Sequence, residues 1–90
     1  SSVQDAKVFP NPFRNPRGHI SITFANLPAD AQIKIYTLTG SLVRELTASV
    51  SGLASWDAKN DQGESVASGV YFAFIQGTGG KKTLKVGIER

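Results

Sequence analysis

Asp57, Asn60, Asp61 and Glu64 crowd oxygen-bearing side chains into one short stretch of this chain, WDAKNDQGE. Oxygen donors at such spacing are the ligands of a calcium loop. Their order departs from the EF-hand pattern D-x-[DN]-x-[DN]-G, and the carboxylates are few beside the roughly six to eight oxygens calcium takes. Turn chemistry accounts for the cluster better, with Asp and Asn side chains bonding their own backbone. No metal ligand is assigned. His19 is the only histidine and has the chemistry of a general base. A catalytic triad is defined by geometry and roles rather than by residue types. No serine here lies in a nucleophile elbow, and cysteine is absent. His19 is expected to be an exposed strand residue, no catalytic residue is assigned, and the chain is expected not to be an enzyme. No Gly-rich loop precedes a helix, so nucleotide binding has no support and no cofactor is expected. A carbohydrate-binding face would expose a row of Trp or Tyr, and only Tyr36, Trp56 and Tyr71 are present.

The remaining chemistry is charge. Lys81, Lys82, Lys85 and Arg90 against Glu89 carry the whole net charge of +3, and the rest of the chain sums to zero. A basic tail meets nucleic acid, anionic lipid or an acidic partner. It also serves as a solvated edge strand whose lysines discourage pairing with other sheets. The edge strand is the plainer expectation, and no nucleic-acid partner is expected.

The elements that position these groups are strands. Trp56–Gln76, WDAKNDQGESVASGVYFAFIQ, holds the only tryptophan and the longest apolar run, Val70–Ile75. Asn60-Asp61-Gln62-Gly63 is a turn, with Asn at its first position and Gly at its last. Gly69 opens a strand apolar on both faces, which predicts a central strand covered on both sides. Trp56 is the large body for the core. Before it, Val8-Phe9-Pro10-Asn11-Pro12-Phe13 predicts a short first strand stopped by two prolines, which cannot donate to a ladder. Phe9 and Phe13 are expected to point inward. Asn15-Pro16-Arg17-Gly18 is a turn cluster. His19–Phe24 alternates, with Ile20, Ile22 and Phe24 inward. Leu27 is tucked under the following loop. Gln32–Leu38 and Leu42–Leu46 form a hairpin closed by Thr39-Gly40-Ser41, with Gly40 free to take positive φ. Leu53–Trp56 is a strand, Gly77-Thr78-Gly79-Gly80 a turn, and Lys82–Ile88 the last strand, with Leu84, Val86 and Ile88 inward. About seven short strands at such spacing predict an antiparallel, Ig-like β-sandwich with essentially no helix.

W-D-x-x-N-D-x-G-x-x-V-A-S-G-V-Y-F resembles the end of the Ig-like domain of the flagellar hook-capping protein. It resembles equally the C-terminal sorting domains of proteins exported by the bacterial type IX secretion system. I-Y-T-L-T-G-S-L-V-R-E-L matches the hairpin of these families, P-N-P-F their opening, and the resemblance runs over nearly the whole chain. It implies a sorting or cell-surface attachment domain read by a secretion or surface-anchoring machine. Gly69, Val70, Tyr71, Lys81, Lys82 and Lys85 are the recognition residues it implies. The W-D-x-x-N-D-x-G segment lies closer to the hook-capping type, a structural module, and a third class is an adhesive or carbohydrate-binding accessory module. Ninety residues make one domain, expected at the C-terminus of a longer exported protein with an enzyme or adhesin upstream. Its destination would be extracellular or the cell surface, via the periplasm. No stretch reaches the ~18 apolar residues of a membrane span.

Overall fold

A computed structural model of the chain describes residues 3–14, 16, 18 and 21–90. His19 and Ile20 at the start of the expected strand, and Asn15 and Arg17 of the turn cluster, lie outside the described residues. The chain folds as two stacked sheets, with a 3-10 turn at Val3–Asp5. Strands β1 (Lys7–Phe9), β3 (Ile22–Ala25) and β6 (Ala54–Trp56) form one sheet, in the order β1-β3-β6. Strands β2 (Phe13–Arg14), β4 (Gln32–Tyr36), β5 (Leu42–Thr47), β7 (Gly69–Gly77) and β8 (Gly80–Glu89) form the other, in the order β2-β8-β7-β4-β5. The expected all-β sandwich stands.

Period-two alternation decides what enters the core, because successive side chains on a strand point to opposite faces. Ile22 and Phe24 on β3, and Ala54 and Trp56 on β6, face Ile33 and Ile35 on β4 and Tyr71, Ala73 and Ile75 on β7. Val86 and Ile88 on β8 complete that face, with Leu84 half-buried beside them. Trp56 is 0% exposed. Leu27 is buried, as expected, and its N–H donates to Gly52 O at 3.1 Å. The hairpin turn of β4 and β5 has Gly40 at φ 91°, the conformation that only glycine takes without strain.

Six expectations are corrected. Phe9 is 51% exposed rather than inward. Val8 pairs with Phe24 and Phe9 with Thr23, so the pleat turns Val8 inward and Phe9 out. The prolines divide the opening into two strands rather than one, one in each sheet, which makes eight strands among the described residues. The second of them, β2, pairs with β8 in parallel, Phe13 opposite Ile88, so the sandwich is not wholly antiparallel. Strand β8 is accordingly not the sheet edge. β2 flanks its end, and polar side chains cap the rest of its outer side: Gln4 Nε2 donates to Lys81 O at 3.1 Å, Asn11 Nδ2 donates to Lys85 O at 2.9 Å, and Asn11 Oδ1 accepts from Gly87 N at 3.0 Å. These amides stand in for a missing neighbouring strand.

The other two corrections concern β4 and β7. β4 ends at Tyr36, and Leu38 lies in the turn, exposed. β7 is central in its sheet, but only one face of it meets a second layer. Val70, Phe72 and Phe74 stand on the outer face, Val70 exposed and the two rings half-buried. Neighbouring side chains on the same sheet, not a further layer, give that cover. An apolar outer face was enough to suggest burial in the sequence, whereas the structure leaves it open.

Candidate functional site

Gly69, Val70 and Tyr71 open β7, and Lys81, Lys82 and Lys85 lie on the strand paired with it. The pleat separates them. Lys82 belongs to the same face as Leu84, Val86 and Ile88, in register with Ile75. It is half-buried, and its Nζ donates to Gln4 O at 2.9 Å, reaching the end of the sandwich beyond the core. Lys81 and Lys85 stand on the outer face instead. Lys81 Nζ lies 5.9 Å from the centroid of the Phe74 ring, a cation–π distance. Lys85 stands opposite Phe72, which stands opposite Tyr36.

Tyr71 is buried, its ring meeting Trp56 edge to face at 6.0 Å and 73°. Its hydroxyl donates to Ala67 O at 2.7 Å, four residues back. This is the geometry of the tyrosine corner found in Ig-like sandwiches, and it fixes the path by which the chain enters β7. Burial pushes the Tyr71 hydroxyl above the ordinary value of 10.0, and the nearby Arg90 cation opposes the shift. The folded state therefore holds the proton more tightly than the unfolded state. Stability contributed by Tyr71 is fully present below pH ~10 and is lost as pH rises through the higher folded value. We expect Tyr71→Phe to flatten this alkaline loss, read as unfolding midpoints of both proteins from pH 8 to 11. It should also destabilise at neutral pH by about 1 kcal/mol for the lost hydrogen bond. Identical alkaline slopes for the two proteins would contradict the assignment.

The Asp57–Glu64 cluster is occupied by turn chemistry. Asn60 Oδ1 accepts from the N–H groups of Gln62 and Glu64, both at 3.0 Å, and Asp57 Oδ1 accepts from Lys59 N at 3.1 Å. Gly63 N donates to Asn60 O at 3.0 Å. The Arg44 guanidinium reaches into this loop from β5. Its Nη1 lies 3.4 Å from Asp57 Oδ1, 3.5 Å from Lys59 O and 3.4 Å from Asn60 O, and its Nε lies 3.7 Å from Asp61 Oδ1. These are long contacts, electrostatic more than directional. No cluster of three or more metal-ligating side chains occurs among the described residues. A bound ion at a hundredfold excess over Kd would add ~2.7 kcal/mol. We expect millimolar calcium to leave the melting temperature unchanged. A rise reversed by chelator would displace the turn assignment.

Sequence reading missed Arg90 and Asn11. Arg90 Nε donates to Val66 O at 2.5 Å, its Nη2 to Ala58 O at 2.9 Å, and its backbone N–H to Ser68 Oγ at 2.9 Å. The guanidinium also lies over the Phe13 ring. It ties the end of β8 to the loops that precede β7. A residue ending a strand carries no pattern that announces such a reach.

These sheets, with a tyrosine corner beside a buried tryptophan, define an Ig-like β-sandwich. The chain belongs to the secretion system C-terminal sorting domain family, whose model matches residues 7–89. Of the two families whose motifs it resembles, the match falls on the sorting domain. Among solved structures it is similar to PorZ, described as an essential bacterial surface component of the type-IX secretion system of Porphyromonas gingivalis. The TM-score is 0.84 at 32% identity, covering 100% of this chain and 12% of that one. It shares its fold with dimeric latent PorU from Porphyromonas gingivalis, at TM-score 0.65 and 24% identity, covering 93% of this chain and 9% of that one. The chain thus spans about an eighth or less of the length of either protein. A search of curated proteins finds no match. The domain is a sorting signal of secreted cargo, which places it outside the cell or on its surface. No helix among the described residues is long and apolar enough to cross a membrane.

Proposed function

We propose that this domain is the non-catalytic C-terminal address of a longer exported protein, carried through the periplasm and recognised by type IX secretion or surface-anchoring machinery. An enzyme or adhesin precedes it in that protein. The observation that carries this reading is the family match, which spans residues 7–89 of a 90-residue chain. The concentration of the net charge in residues 81–90 supports it, because a basic segment steers an acidic receptor toward one end of the chain. Of Gly69, Val70, Tyr71, Lys81, Lys82 and Lys85, the residues that touch the machinery are Val70, Lys81 and Lys85. The roles within the set divide as the faces do. Tyr71 holds the β7 entry in shape, Lys82 anchors to Gln4, and Val70, Lys81 and Lys85 are open to contact.

The test keeps the fold intact. Lys81, Lys82 and Lys85 are replaced together by Gln, an unchanged melting curve is confirmed, and export of the full-length parent is followed in its own cell. A parent lacking the whole domain runs alongside. Retention of both in the periplasm is the expected result. Normal export of the domain-deleted parent would make the domain a structural module instead.

A further inference from the structure

The outer face of the five-stranded sheet has an anatomy that secondary structure alone does not require. Cross-strand register builds it in rows. Tyr36, Phe72 and Lys85 form one row; Lys34, Phe74 and Thr83 the next; Gln32, Gln76 and Lys81 the third. The three aromatic rings are half-buried at the centre, and Val70 beside them is 42% exposed. Lysines stand around them. Lys34, Lys81 and Lys85 form no ion pair with any described residue, whereas Arg14 on the flank is paired with Glu89. Glu45 faces Lys34 across the β4–β5 ladder without closing a salt bridge.

We propose that this face is the docking surface for an acidic protein partner, whose carboxylates ring an apolar centre seated on Phe72 and Phe74. The proposal rests on the sorting reading and names the surface that the machinery contacts. Charge complementarity identifies the occupant. Apolar centre and charged rim is the anatomy of a protein–protein interface, and unpaired cations at the rim call for anions on the partner. The spacing argues against a lone small anion such as phosphate. Lys81 and Lys85 are four residues apart on one strand, about 13 Å at ~3.3 Å per residue. They bracket the aromatics and do not converge on a single anionic group. Lys82, the third lysine of the basic strand, faces the other way and takes no part.

The experiment compares three full-length variants of the parent in its own cell, K81E/K85E, F72T/F74T and K82Q, with the domain deletion. Threonine keeps strand propensity, and the lysine pair is exposed, so melting curves of the isolated 90-residue chain identify any variant that fails to fold. K81E/K85E tests the surface independently if F72T/F74T does not fold. Export is expected to fall at least tenfold for K81E/K85E and F72T/F74T, to the level of the deletion, and to stay within twofold of wild type for K82Q. Wild-type export of a folded K81E/K85E, with the deletion retained, would overturn this surface and leave the sorting reading in place. Equal loss in K82Q and K81E/K85E, with F72T/F74T folded and exported normally, would show that charge alone is read, as by a polyanion, and would also overturn it. Normal export of the deletion would remove the sorting reading itself.

Discussion

Trp56→Ala is expected to destabilise the domain by about 3–5 kcal/mol, the usual cost of emptying a large aromatic site. The indole is fully buried between the sheets and meets Tyr71 edge to face at 6.0 Å. Its Nε1–H donates to Lys59 O at 2.8 Å. It therefore links the core to the Asp57–Glu64 loop as well as filling space. A domain of this size has about 5–15 kcal/mol in all, so this one change takes a large share. Trp56→Phe keeps most of the volume and loses the hydrogen bond, and should cost less than Trp56→Ala. Denaturant unfolding of the three proteins measures both differences. An unchanged midpoint in Trp56→Ala would mean that the indole is not in the core.

Gly52→Ala is expected to cost about 3 kcal/mol or more, and Gly40→Ala much less. Both glycines have positive φ, 79° and 91°, where an L-residue loses roughly 1–2 kcal/mol. Only Gly52 is also hemmed in. A Cβ there would stand 2.4 Å from Leu27 O and 3.3 Å from Leu27 N, while nothing lies within 4 Å of one at Gly40. The obstacle is backbone, and the Leu27 side chain is buried, so neither can swing aside. Relief requires the loops to part, which breaks the Leu27 N–H bond to Gly52 O at a further ~1 kcal/mol. The two substitutions share the conformational cost, so the difference between their unfolding midpoints isolates the close approach. Equal losses would mean that the loops at Leu27 and Gly52 are not in contact.

Much of this architecture was legible because it is local. Alternation put Ile22, Phe24, Val86 and Ile88 inward, and the spacing of Thr39-Gly40-Ser41 placed a hairpin. Asn60 and Gly63 announced a turn through side-chain chemistry that needs no distant partner. What escaped was register between distant segments. Phe9 and Phe13 flank the same prolines, yet which of them turns inward depends on pairing with Thr23 in one sheet and Ile88 in the other. Phe72 and Phe74 suggested burial because hydropathy does not say which layer is opposite. For the same reason the basic cluster was seen as a set, although Lys82 and its neighbours Lys81 and Lys85 occupy opposite faces of one strand. Among the expected recognition residues, composition located the charge, and only the pleat sorted it.

The capping of β8 by Gln4 and Asn11 has a kinetic consequence. These bonds, with the Arg14–Glu89 pair, join residues 74 to 78 positions apart. The β7–β8 hairpin closes across two residues, whereas the seam beside it waits for nearly the whole chain to come round. Closing a loop of that length costs ~2 kcal/mol more entropy than closing one of ten residues, at ~0.6 kcal/mol per doubling. Contacts so distant in sequence slow folding. The seam between the opening segment and the final strand is therefore expected to form after the hairpins, so that Asn11→Ala speeds unfolding and leaves the folding rate unchanged.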